Sequence, residues 1–140
     1  MSALFGSLGV AYSGMDTYKT WIDATADNVA NVNTVKRTSE TAYQAKYVVA
    51  RAVPGTRGGV AAGIGLGTSV AGIELSSGEG QIVYDPSSPL ADANGMVRRP
   101  DMVLSDQMTN LIIAQRAYQA NVTVFERARD SYARALEIGK

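Results

Sequence analysis

The sequence predicts an α+β fold: long N- and C-terminal helices pairing as a coiled coil, with a small β-rich, Gly-rich middle domain between them. Three observations carry this reading. Leu4, Leu8, Ala11, Met15, Tyr18, Ile22, Thr25, Val29 and Val32 recur at alternating spacings of four and three. Leu104, Met108, Leu111, Gln115, Tyr118, Val122, Phe125, Arg129, Tyr132 and Leu136 do the same at the other end of the chain. The stretch between them is polar, rich in glycine, and alternates with the strand period where it is patterned at all. A 3.5-residue repeat keeps one narrow stripe facing a partner helix, which separates it from the wider apolar face of an ordinary globular helix. The expected division is 1–34 and 101–140 for the terminal helical unit and 35–100 for the middle, with a flexible loop at 55–67.

The first helix is expected over 2–33, with Ser2 at the N-cap position. Gly6, Gly9 and Gly14 lie in its first half. Each costs about 1 kcal/mol against Ala in a helix interior, so this half needs packing to form. Asn28, Asn31 and Asn33 crowd its far end, where their side chains compete for backbone partners. The helix is therefore expected to stop near 31–34. Residues 35–43 are polar and patternless, a linker. Over 43–53, Tyr43, Ala45, Tyr47 and Val49 alternate with Gln44 and Lys46 as in a half-buried strand, which Pro54 ends. Strands are also expected at Thr68–Leu75 and Gln81–Tyr84, split by a Ser-Ser-Gly-Glu-Gly turn at 76–80. Residues 85–100 hold prolines 86, 89 and 100 and the Asn94-Gly95 dipeptide, so an extended path with one tight turn is expected, leading into a hairpin at 96–98. The last helix follows Asp101 and Asp106 and runs to residue 138. Acidic residues near its start, Arg134 near its end and Gly139 after it suit its dipole and its stop. Asp130 with Arg134 and Glu126 with Arg129 stand at pairing distance along it.

Composition removes several function classes. Lys and Arg number 13, as do Asp and Glu, and the basic residues are scattered, so no general field draws nucleic acid or an anionic surface. Nucleic acid and small-molecule substrates are not expected partners. Cysteine and histidine are both absent, which excludes disulfides, thiolate chemistry and the commonest general base and metal ligand. The chain has no secretory pattern at its start and no run of about 18 apolar residues.

Two features invite chemistry and fail on spacing. Gly63-Ile64-Gly65-Leu66-Gly67 lacks the G-x-G-x-x-G order before a helix and any Gly-Lys-Ser/Thr, so a mobile loop is the better reading. Asp16, Asp23 and Asp27 share a helix face, which without histidine reads as a solvated surface rather than a metal site. No catalytic residue, cofactor or metal is expected, and the chain reads as a non-enzyme. Gln115 and Arg129 interrupt the second seam. Either they snorkel from a partly buried stripe, or they set register against polar groups on neighbouring helices. The weak first half of the first helix also suggests terminal helices that order only on assembly.

The run Asp27-Asn28-Val29-Ala30-Asn31-Val32-Asn33-Thr34 resembles the A-x-N-[IVL]-A-N-x-x-T signature of the flagellar axial (rod and hook) proteins. The stretch from Tyr84-Asp85-Pro86 through Ala91-Asp92-Ala93-Asn94-Gly95-Met96-Val97 to Pro100 is similar to the Y-x-P-x-x-P-x-A-D-x-x-G-Y-V-x-x-P run of that family's proximal rod branch. Met108-Thr109-Asn110-Leu111-Ile112-Ile113-Ala114-Gln115-Arg116-Ala117-Tyr118-Gln119-Ala120-Asn121 resembles the branch's M-x-N-x-I-x-A-x-R-x-Y-Q-A-N helix. The motifs occur in order and span essentially the whole chain. Met96 stands where Tyr is usual, Asp101 where Asn is usual, and Lys36 where Gly often follows the Thr.

The resemblance implies a structural subunit of the bacterial flagellar basal-body proximal rod, assembling through its terminal helices to transmit torque between ring complex and hook. It implies self-assembly beside other proximal rod proteins, the ring-to-rod adaptor, the membrane ring and the distal rod protein. It also implies export by the flagellar type III apparatus without a cleaved signal peptide. On this reading the subunit interface takes Leu4, Leu8, Met15, Tyr18, Ile22, Asn28, Val29, Asn31 and Thr34 from the first helix and its end. From the last helix it takes Met108, Leu111, Gln115, Tyr118, Gln119, Asn121, Val122, Phe125, Arg129, Tyr132 and Leu136. The competing reading is a soluble coiled-coil adaptor or chaperone.

Overall fold

A computed structural model describes residues 2–55 and 65–138, with side chains over 6–55 and 65–137. Its elements run α1 (Ser2–Asn31), β1 (Lys46–Ala52), β2 (Thr68–Leu75), β3 (Gln81–Tyr84), β4 (Met96–Arg99) and α2 (Leu104–Ile138). The class is α+β. The loop expected at 55–67 lies mostly outside the described residues, as do Gly139 and the side chains of Ser2 and Leu4.

The two helices pack along each other. Asn28 meets Gln107 and Gly14 meets Asn121, so two heptads back along α1 match two heptads forward along α2, and the pair is antiparallel. α1 stops where the asparagines crowd it. Asn31 turns its amide back to the Asp27 carbonyl at 2.9 Å and accepts the Thr34 hydroxyl at 3.0 Å. The Thr34 N–H then closes onto the Asn31 carbonyl at 3.0 Å. These side chains take partners that a further helical turn would have supplied, which ends the helix.

The middle forms two antiparallel hairpins, β1–β2 and β3–β4, each a two-stranded sheet. Val48 pairs with Ile73 and Lys46 with Leu75 in the first, and Val83 with Val97 in the second. One extended thread ties them together. Lys36 exchanges backbone bonds with Arg98 at 2.9 Å, Ala42 donates to Gly78, and Ala45 pairs with Ser76 before β1 begins. The segment expected as a plain linker thus carries part of the sheet pairing. Gly80 takes φ +58° at the turn into β3, where a Cβ would lie 2.2 Å from the Arg99 carbonyl oxygen, so only glycine fits.

The expected inward row of the first strand needs correction. Ala45 is fully buried and Tyr43 half-buried, but Tyr47 is 45% exposed. The pairing shifts between Val49 and Ala50, and this bulge leaves Val48 and Val49 both half-buried on opposite faces. Beyond the bulge the loop end of the hairpin lies on α1. The Thr68 N–H donates to Ser13 Oγ at 3.1 Å, and the Thr68 and Thr17 hydroxyls meet at 3.0 Å. The ion pairs expected along α2 also differ. Arg129 turns to its neighbour Asp130 at 3.0 Å, and no basic residue stands in the last turn.

The described core is small. Its buried apolar residues are Ala11, Ala24, Ala42, Ala45, Val97 and Ala114, and Val97 and Asn28 are the largest fully buried side chains.

Candidate assembly interface and the Asn28 junction

The most constrained polar site is where the end of α1, the start of β1 and the start of α2 converge. Asn28 is 1% exposed and uses its whole amide. Its Nδ2 donates to the Lys46 carbonyl at 2.9 Å and to Gln107 Oε1 at 3.0 Å. Its Oδ1 accepts the Lys46 N–H at 2.8 Å and the Tyr43 hydroxyl at 3.2 Å. A primary amide has two donors and two acceptor lone pairs, so this side chain is saturated. Around it, Lys46 Nζ reaches Asp27 Oδ2 at 2.7 Å, and that bond holds the ammonium pKa above its ordinary value. Burial pushes the Tyr43 hydroxyl up.

A second polar knot fixes the turn before β4. Asp92 Oδ1 accepts the N–H groups of Met96 and Asn94, each at 2.9 Å, and Oδ2 accepts the Thr38 hydroxyl at 3.2 Å. The Met96 bond, then the Asn94 bond, hold the Asp92 carboxyl below the usual carboxylate range. Arg98 caps the same region, donating from Nη2 and Nε to the Thr38 carbonyl at 2.7 and 3.2 Å and from Nη1 to the Glu79 carbonyl. An open depression of about 480 Å³ lies beside it, lined by Ser39, Glu40, Thr41, Gln44, Gly78, Glu79 and Arg98. Its arginine is already engaged with backbone.

The seam between the helices is rotated from the expected stripe. Of the expected positions, Ala11 and Thr25 on α1 are buried and Tyr18 is half-buried, as are Leu111, Tyr118, Phe125 and Tyr132 on α2. The alternate positions fall one residue earlier. Gly14, Asn28, Gln107 and Ala114 are buried, whereas Met15, Ile22 and Val29 are half-buried and Met108 and Gln115 exposed. The centre is filled by small and polar residues. A Cβ on Gly14 would lie 2.4 Å from Asn121 Oδ1, so the backbone of α1 comes close to α2 there.

The larger apolar residues consequently line the edges. Leu8, Met15, Ile22, Val29 and Val122 are half-buried, and Tyr18 stacks on Trp21 with ring centroids 5.9 Å apart. On α2, Leu104, Met108, Ile112, Ile113, Val124 and Leu136 are exposed. Gln119 and Arg129 are exposed with them, while Asn121 is half-buried and bonds the Ala117 carbonyl at 2.8 Å. Sequence reasoning missed Gln107, Tyr43, Lys46 and Gly14. Only Gly14 carried a signal, being a glycine inside a helix. Among the described residues no helix is long and apolar enough to cross a membrane.

This arrangement can be set beside known proteins. Over 140 residues the chain is 32% identical to the flagellar basal-body rod protein FlgC of Salmonella typhimurium, covering 99% of each. The chain belongs to the FlgC family of flagellar basal-body rod proteins. It is also 33% identical to FlgC of Borreliella burgdorferi over 147 residues, covering 96% of this chain and 97% of that one. To FlgC of Bacillus subtilis it is 28% identical over 147 residues, covering 97% and 98%. Residues 95–138 match the family described as Flagellar basal body rod FlgEFG protein C-terminal, which takes in β4, Gln107 and the rest of α2. As a FlgC-family member the chain is a structural subunit of the flagellar basal-body rod and resides there. The relatives bear the names of rod proteins rather than of enzymes.

Proposed function

We propose that this FlgC-family chain builds the proximal rod by laying its antiparallel helix pair, wound as a coiled coil, into an inner tube against neighbouring subunits. Residues 1–34 and 101–140 form that layer, and 35–100 pack outside it, stiffened by the Asp92 and Arg98 knots. The observation that carries the reading is the apolar edge of α2. Leu104, Met108, Ile112 and Ile113 stand exposed beside a seam filled by alanine, glycine and asparagine. A helix pair that keeps small residues at its centre and large ones at its rim has its main hydrophobic burial still to make.

Self-association with heterologous neighbours follows: other proximal rod proteins, the ring-to-rod adaptor and membrane ring on one side, and the distal rod protein on the other. Torque passes through this contact layer, with no turnover, cofactor, nucleic acid or small-molecule substrate. Delivery is by the flagellar export apparatus without a cleaved signal peptide. Expected interface residues are Leu8, Met15, Ile22, Val29, Met108, Gln115, Gln119, Val122, Arg129 and Leu136. Asn28, Asn31 and Thr34 act from within by shaping the end of α1. Mass spectrometry of stringently washed hook–basal bodies tests the reading. The chain is expected at a stoichiometry similar to the other rod proteins; its absence from otherwise intact rods would refute it.

A further inference from the structure

We infer that the Asn28–Gln107 hydrogen bond is the register lock of the helix pair, the contact that selects one alignment of α2 on α1 over its heptad-shifted alternatives. The fully buried seam positions Ala11, Gly14, Thr25 and Ala114 are small, and the half-buried Leu111, Tyr118, Phe125 and Tyr132 repeat at heptad spacing along α2. Sliding α2 by one heptad therefore puts one large apolar residue where another stood, and apolar contact alone separates the alignments only weakly. It changes the polar contact completely. In the observed alignment Asn28 Nδ2 meets Gln107 Oε1 at 3.0 Å, with Asn28 1% and Gln107 4% exposed. One heptad away, Asn28 would face the Ala114 or Pro100 position, and a buried donor would lose its acceptor. A single buried polar residue at a seam position is a known means of specifying register in helix pairs. Gln115 and Arg129, the polar residues that interrupt the expected second seam, are exposed and cannot play this part between α1 and α2 of one chain. Because Asn28 also holds both backbone groups of Lys46, the register of the helices and the root of the β1–β2 hairpin are set together.

The inference rests on packing within one chain and stands apart from the rod reading. Cysteine is absent from the sequence, so pairs can be introduced cleanly. A Cβ on Gly14 would lie 2.8 Å from Asn121 Cγ, where a sulfur at position 121 would sit, close to disulfide geometry. The experiment oxidises the full-length chain in dilute solution and reads intramolecular links by peptide mass spectrometry. Gly14→Cys is combined with Asn121→Cys for the observed register and, with Asn121→Ala to clear the new Cβ, with Ala114→Cys or Ala128→Cys for the shifted ones. The parent background should give the 14–121 link almost alone. Gln107→Met, similar in size but without the acceptor, should raise the shifted links relative to it by about tenfold or more. Gln107→Glu, whose carboxyl oxygen still accepts the Asn28 amide, should restore the single register, and Leu111→Ala should lower the yield without redistributing it. An undivided 14–121 link in Gln107→Met would overturn the lock. Loss of all links in that variant would do so too, since the pair would then hold the helices together rather than align them. Absence of the 14–121 link in the parent background would remove the pairing itself.

Discussion

Asn28 sits where the segment before β1, β1 and α2 each present a polar group to its amide. Replacing it with leucine keeps comparable bulk but leaves the Lys46 N–H without the Asn28 amide that holds it. A buried group left without a partner costs about 1–3 kcal/mol. Asn28→Leu is therefore expected to speed amide exchange at Lys46 by at least tenfold; unchanged protection there would mean the junction is not closed by this side chain. Asp92 offers a pH test at the same scale. Its carboxyl is held below the usual range by the N–H groups of Met96 and Asn94, so its contribution is present above the unfolded carboxylate pKa of about 3.9 and lost as pH falls through the lower folded value. The amides of Asn94 and Met96 should lose protection on acidification below that point, and Asp92→Ala should remove the transition. The end of α1 could be read from Asn31 and Thr34, because asparagine and threonine carry their capping chemistry wherever they stand. The partner of Asn28 could not be read. Gln107 is one polar residue among many on α2, and only the approach of α1 makes it a core residue.

At the scale of the elements, periodicity gave the helices, their ends within a few residues, and two of the strands with the bounds observed. It missed the seam by one position at Met15, Val29, Met108 and Gln115, where Gly14, Asn28, Gln107 and Ala114 are the buried residues. The heptad reading chose Met15, Val29 and Met108; the structure instead buries Gly14, where the helices come close, and Asn28 and Gln107, which satisfy each other. Residues at adjacent positions share a helix edge, and composition alone does not say which of them faces inward. The alternation of Tyr43, Ala45, Tyr47 and Val49 broke for a similar reason, at a bulge no local pattern announces. The close approach at Gly14 makes a double-mutant test. Gly14→Ala gains about 1 kcal/mol in helix propensity, but its Cβ meets Asn121 Oδ1 at 2.4 Å, so the net effect on thermal stability is expected to be unfavourable. In an Asn121→Ala background the same substitution should become neutral or stabilising. Additive effects would show that the helices do not touch there.

Considered whole, the molecule is a thin antiparallel helix pair with two small hairpins tied to one end and one side of it. Among the described residues its buried centre is small or polar apart from Val97, and large apolar side chains stand exposed on α2 and on the hairpins. That distribution is poor for an isolated domain and well suited to a subunit whose neighbours complete its core, which is the rod subunit expected of a FlgC-family chain. The central claim is that the α2 rim is covered by neighbouring subunits. Single substitutions Met108→Cys, Ile112→Cys and Glu79→Cys, each kept only if it supports motility, place a thiol in a chain that has none. The decisive measurement is maleimide labelling of each thiol in the free chain and in purified hook–basal bodies. The rim thiols at 108 and 112 should label in the free chain and become protected in the rod, while the thiol at 79 labels in both. Equal labelling of position 108 in the two states would contradict the account.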